Sequence, residues 1–420
     1  MATFPTTIFA EILSKLPVKS LFPMKLVCKS WYSLIKSPYF IKLHLNQTLI
    51  SNSDRYLLKS SIGAAFYYAK LDLPHNYLSF STLEHPLEYE EVEVFGACNG
   101  VVCISNYDKI DVFLYNPLTK SRRKLPPKRI PNPEKDCVLF GFGYDSKSDD
   151  YKVLRILQGF SCQKCCYDEA QVYSLNNNAW KSVAFVSKPY FFPFADCHGV
   201  LVNEGLHYIV SSEELDSQQR KMIACFDLRT EKFSLMDCPL NDDKSKTEWE
   251  YLEFCVRELG GCLAVMVTYL VKSYAAQMLP YLDGDDVRNR RLLRADLWVM
   301  KEYGNKESWV KLFSTGKPVG VKLYCTCIRP IVYSKDGRRV LIDIDCLEVG
   351  WYDLESKTYE KVDARGLPQT YYDTGYFAGS LVSLEYKPQP IKITKNKNKN
   401  KNTKKKDSDR FLSAGFKLKL

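Results

Sequence analysis

Histidine is scarce in this chain: His44, His75, His85, His198 and His207 are the only five in 420 residues. That leaves little imidazole for acid-base work or metal ligation. His198 and His207 flank a turn at Asn203-Glu204-Gly205, and a two- or three-residue turn sets His207 across from Val200 or Leu201, not from His198. A structural role on strands is the simpler reading of both. Long apolar runs are also lacking. The richest window, CLAVMVTYLV at 262–271, is broken by Thr268 and reads as one or two buried strands, so no membrane helix is expected. The opening MATFPTTIFAEIL has no basic region and carries Glu11, so no cleaved secretory leader is expected.

The fifteen cysteines do not form a metal pattern. Cys162, Cys165 and Cys166 include one zinc-like spacing, but no second pair completes four ligands, and no metal or cofactor is expected. Their odd number and scatter fit reduced thiols in the cytoplasm or nucleus better than a disulfide framework. GFGYDS has no helix after it that would make a phosphate loop, and Asp149-Asp150 reads as a hairpin turn.

The composition is otherwise globular, 45% hydrophobic and 26% charged. The formal charge of +10 is local. Eight lysines lie between 392 and 406 with no acidic residue among them, and 10 − 8 leaves +2 for the rest. A Lys/Asn tract buries too little apolar area to offset ordering entropy, so residues 387–420 are read as a disordered tail. Nuclear import or weak polyanion contact is its alternative role.

The first 46 residues pattern as three helices. Ile8, Phe9, Ile12, Leu13 and Leu16 share one side of a helix entered near Pro5 and stopped by Pro17. A second helix is expected at about 19–26, where Pro23 demands a late start or a kink. A third runs from about Cys28 to the Ser37-Pro38 step. So small a unit does not stabilise itself by its own core. Its apolar residues need another surface, either this chain's β region or a separate protein.

The remainder patterns as strands. A strand, a turn built on Asn or Asp, and a second strand recur at 111–126, 170–184, 223–239, 295–313 and 347–363. Further hairpins fill the gaps, and helical periodicity is nearly absent. With strands at 55–72, and 379–384 closing the ring, the pattern predicts a mainly β chain: a small helical head followed by a propeller-like domain of about six blades. Closure into a ring would hide the sheet edges.

FPTTIFAEILSKLPVKSLFPMKLVCKSWYSLIKSPYFIKLHL resembles the F-box of plant proteins, in its LPVKSL, VCKSW and trailing F-x-x-x-H-L submotifs. CNGVVC, LYNPLT, FGFGYDSKSDDYKV, HGVLVNEGLHY and FDLRTEKF resemble the F-box-associated domain, a kelch-like propeller found in plant F-box proteins including S-locus relatives. The double resemblance implies an F-box at 1–46, a linker with the first closing strands at 47–90, and the propeller at 91–386. It implies a non-catalytic substrate receptor of a Skp-cullin-F-box ubiquitin ligase. The head would bind a Skp-type adaptor and, through it, a cullin.

By position, Pro5, Ile8, Ile12, Leu16, Pro17, Leu21, Val27, Lys29 and Trp31 would face the adaptor, with Ile12 and Trp31 equally placed for the head's own core. Phe4 and Pro23-Met24 depart from the family pattern, which bears on adaptor affinity. The protein substrate would meet irregular insertions at 188–197 and 273–291, with Tyr190, Phe191, Phe192, Arg288 and Arg290 as candidates. A propeller enzyme and a nucleic-acid binder working through the tail are the rival classes.

Overall fold

The computed structural model describes residues 6–61, 64–71, 77–87, 92–133, 136–161, 164–185, 190–192, 198–212, 221–239, 251–272, 290–316, 327–367 and 373–384. The lysine tail and the Cys162 end of the cysteine group lie outside them.

The head holds four helices, not three: α1 (Thr6–Ser14), α2 (Val18–Met24), α3 (Lys29–Lys36) and α4 (Pro38–Ile50). Ser37-Pro38 ends α3, as expected, but it also starts α4. The Ser37 hydroxyl accepts from the Phe40 amide at 3.2 Å, and Pro38 occupies the first helical position, where its missing N–H costs nothing. A stop signal and a start signal share two residues, so α4 passes unbroken through position 46. Pro23 does not delay α2, which starts at Val18; the helix ends one residue after the proline.

Among the described residues most strands fall into six four-stranded antiparallel sets, in line with the count of about six, while Tyr77–Ser79 and Asp363–Arg365 pair apart in parallel. Four are separate sheets. The other two share one nine-stranded sheet, because His198 and Gly199 pair in parallel with Phe140 and Gly141. Glycine is required at that junction: a Cβ on Gly141 or Gly199 would overlap the Tyr208 hydroxyl packed over both. The innermost strands are Asp373–Ala378, Glu93–Cys98, Asp136–Asp145, His198–Val202, Tyr251–Leu259 and Ile328–Tyr333. Each touches the next, and the last touches the first, so they close a ring.

The first blade joins the two ends of the ring. Asp373–Ala378 pairs with Arg55–Ser61, which pairs with Ala64–Lys70. The closing strand is therefore 373–378, just ahead of the 379–384 that the sequence pattern predicts. Residues 380–384 are held on the second blade instead. The Asn116 amide donates to the Ser380 and Val382 carbonyls, and the Leu384 amide donates to Ser121.

The recurring unit seen in the sequence is the outer hairpin of each of the second to sixth blades. In three of them the turn chemistry is the same. Asn116, Asp227 and Asp353 each accept from the backbone two and three residues on, and Lys120, Glu231 and Lys357 then take positive φ.

In such a ring, first-to-second and third-to-fourth turns emerge on one face, whereas second-to-third and blade-to-blade connections emerge on the other. In the second to sixth blades the first set is short. The connections carrying 188–197 and 273–289 both belong to the second set.

Candidate functional surfaces

The head sits on the short-turn face. Asp54, just ahead of Arg55–Ser61, accepts from the Val18 amide at 3.0 Å and from the Tyr56 hydroxyl at 3.0 Å, and Lys70 lies 3.4 Å away. The Val18 N–H is one of the donors a helix start leaves unpaired, and the propeller supplies its acceptor. Burial, then the Asp54 carboxylate, push the Tyr56 phenol well above its ordinary range. Lys42 on α4 reaches Asp149 in a turn of the third blade at 2.9 Å. Buried His44 holds α4 to the end of α1, its Nε2 2.8 Å from the Leu16 carbonyl.

The packing divides the head into two sides. Ala10, Leu13, Val18, Leu21, Ile35 and Phe40 are buried in one cluster with Tyr56, Phe66, Phe377 and other propeller residues. That side is completed by this chain's own blades, through which the head gains the core it lacks alone. The other side remains open: Ile8 and Ile12, one turn apart on α1, are 40% and 56% exposed, and Leu26 and Val27 beyond α2 are 85% and 63% exposed. Tyr32 and Tyr39 are exposed as well. Four apolar side chains this bare on so short a segment are what an interface presents before it is covered.

The nine head residues named from the sequence therefore separate. Ile8, Ile12, Val27 and Lys29 lie exposed. Leu16, Pro17 and Trp31 are half-buried, and Trp31 packs against Phe9 with ring centroids 5.6 Å apart. Leu21 is fully buried and has no surface to offer a partner, a correction that follows from its position on the propeller-facing side of α2. Pro5 lies outside the described residues. Leu26 was missed; an adjacent Leu-Val pair at a helix end was its signal.

On the loop face, Tyr190–Phe191 forms a short strand paired with Ser211 and Ser212. Phe192 is corrected from recognition to core. It is fully buried against Phe185 and Tyr208, and its amide donates to the Gln158 side chain. Arg288 lies outside the described residues, while Arg290 opens the strand Arg290–Met300 opposite Lys272.

The two histidines do not meet. His207 pairs with Val200, as the hairpin requires, and is fully buried, with Nδ1 3.1 Å from the Val200 carbonyl and Nε2 2.8 Å from the Tyr303 hydroxyl. Burial lowers its pKa to about 4, so it is neutral and structural at pH 7. His198 faces Glu93 instead, at 3.2 Å.

The F-box domain family matches residues 3–43, and the F-box associated beta propeller domain family matches residues 52–383. The chain belongs to the F-box proteins. Among the relatives of this F-box protein in Arabidopsis thaliana are F-box protein CPR1, 31% identical, and F-box protein At4g22390, 30% identical. Each alignment covers all of both chains. A solved oligogalacturonate lyase in complex with manganese is 9% identical, with a TM-score of 0.40 over 76% of each chain, a likeness that says nothing of function. The F-box match spans α1 to α3 and part of α4, so it includes both sides of the head.

Proposed function

We propose that this F-box protein is the substrate-recognition subunit of a Skp-cullin-F-box ubiquitin ligase and makes no bonds itself. The supporting observation is the division of the head: one side is consumed by the propeller, while Ile8, Ile12, Leu26 and Val27 stay bare on the other. That bare side takes the Skp-type adaptor and, through it, the cullin. The target protein is held at the loop face, on the far side of the ring from the head. Because Asp54, Lys42 and the shared core fix the head to the ring, the adaptor and target are carried at a set orientation, which raises the target's effective concentration at the transfer site. Action in the cytoplasm or nucleus accords with this reading.

The test is co-purification of the full chain with a recombinant Skp-type adaptor, using wild type and an Ile8→Asp, Ile12→Asp variant. Wild type is expected to form a stoichiometric complex and the variant to lose it while keeping its melting temperature. Adaptor capture by the folded variant at wild-type affinity would overturn the assignment.

A further inference from the structure

The last described residues fix where the lysine tail begins. Residues 380–384 lie on the turn between the third and fourth strands of the second blade. The Asn116 side chain donates to the Ser380 and Val382 carbonyls at 3.0 and 2.9 Å, and the Leu384 amide donates to the Ser121 hydroxyl at 2.8 Å. That turn belongs to the short-turn face, the one the head occupies. Leu118 in the turn and Leu381 beside it are buried in the same cluster as Ala10, Leu13 and Leu21 of the head. The chain therefore leaves the ring next to the head. Lys392 follows Leu384 by eight residues, which span at most about 29 Å when fully extended.

The head carries charge of the same sign. From Thr6 to Ile50 there are six lysines and a single carboxylate, Glu11. Two of the six turn to the propeller, Lys42 to Asp149 at 2.9 Å and Lys19 to the Tyr68 hydroxyl at 2.9 Å. The other four border the bare apolar side. Lys15 follows Ile12 by three residues, and Lys25 and Lys29 bracket Leu26 and Val27. Burial, then the charge of Lys36, lower the Lys25 pKa. Lys15, Lys25 and Lys29 form no ion pair among the described residues. Like charges crowded around an uncovered apolar patch repel one another in the free chain, and an acidic surface laid over the patch turns that repulsion into attraction.

We propose that the lysine tail belongs to the adaptor-binding side of the molecule: the tail and the lysine rim of the head meet one acidic surface on the Skp-type adaptor. This rests on the assignment of the bare side to the adaptor, and adds the chemistry of the partner's surface and a role for residues 392–406. Eight positive charges beside the rim widen the field that an approaching acidic protein meets, which raises the association rate more than the lifetime of the complex. Exposed charges of this kind act over a Debye length, roughly 10 Å at 0.1 M salt, so salt erases the effect.

The experiment compares the full chain with a full-length variant in which the eight lysines of 392–406 are replaced by glutamine. Association and dissociation rates with a recombinant Skp-type adaptor are measured at about 30 and about 300 mM salt. All eight positions lie outside the described residues, and the variant is expected to keep the wild-type melting temperature. It should associate about tenfold more slowly than wild type at low salt, with dissociation within about twofold, and the difference should vanish at high salt. Replacing the same lysines by glutamate should slow association further, and Lys25→Gln with Lys29→Gln should act in the same direction. Equal low-salt association rates for wild type and the glutamine variant would overturn the proposal, as would a difference that survives high salt. Tail-dependent binding of duplex DNA with adaptor rates untouched would also overturn it, giving the tail to nucleic acid. Failure of the wild type to bind the adaptor at either salt would instead overturn the ligase assignment, and this proposal with it.

Discussion

The Val18 amide donates to the Asp54 carboxylate at 3.0 Å, so the second helix of the head begins on an acceptor that the propeller provides. Asp54 also takes the Tyr56 hydroxyl and lies near Lys70; Val18, Asp54 and Tyr56 are buried, and Lys70 is partly exposed. Asp54→Ala leaves an amide and a phenol without their acceptor. It should destabilise the full chain by about 2–4 kcal/mol, read by urea denaturation, with Asp54→Asn less harmful. A change below 0.5 kcal/mol, an order-of-magnitude threshold for surface sites, would show that the head is not anchored there.

The two sides of the head should respond differently to truncation. Ile8→Ala with Ile12→Ala is expected to weaken adaptor binding by about 2 kcal/mol or more and leave stability nearly unchanged. Leu21→Ala should instead cost about 2–5 kcal/mol of folding free energy through the cavity it leaves under the head. Calorimetric titration and denaturation on the same proteins separate the two effects.

Lys59 and Asp343 form a pair buried between the first and sixth blades, with side chains 3% and 1% exposed. Lys59→Met removes one partner and should cost about 3–5 kcal/mol, whereas Lys59→Met with Asp343→Leu should recover part of that loss. A double variant no more stable than the single one would show that Asp343 matters chiefly through its bonds to Thr374 and the Cys346 amide.

His207 gives the chain an acid-sensitive point. Its folded pKa of about 4 lies below the ordinary 6.5, so the unfolded chain binds the extra proton between those values. The stability tied to neutral His207 is full above about pH 6.5 and is lost as pH falls toward 4, by about 3 kcal/mol over the window. Unfolding free energy measured from pH 7 to 4 should fall less steeply in His207→Gln than in wild type.

Much of the propeller was legible because its signal is local. Period-2 alternation and the Asn or Asp turns fix hairpins within about fifteen residues, and turn length narrowed the partner of His207 to Val200 or Leu201, of which the structure takes Val200. The closing strand was misplaced by a few residues because closure pairs 373–378 with 55–61, a contact between chain ends that no local window contains. In the head, Ser37-Pro38 was read as a stop because the same residues that end one helix can cap the next. Phe192 reads as a recognition aromatic because strand patterning does not say which rings will pack edge-on against Tyr208.

The sequence by itself determined the fold class, the helical head, the recurring outer hairpin and the family, all of which depend on neighbours along the chain. Only the tertiary structure decided which apolar residues of the head are spent inside the molecule. Ile12 and Leu13 are equally apolar and adjacent in sequence, yet one is exposed and the other buried, because a helix turns about 100° per residue and the propeller covers one side. The parallel pairing of His198 and Gly199 with Phe140 and Gly141 was likewise invisible in the sequence, since those strands lie a whole blade apart along the chain.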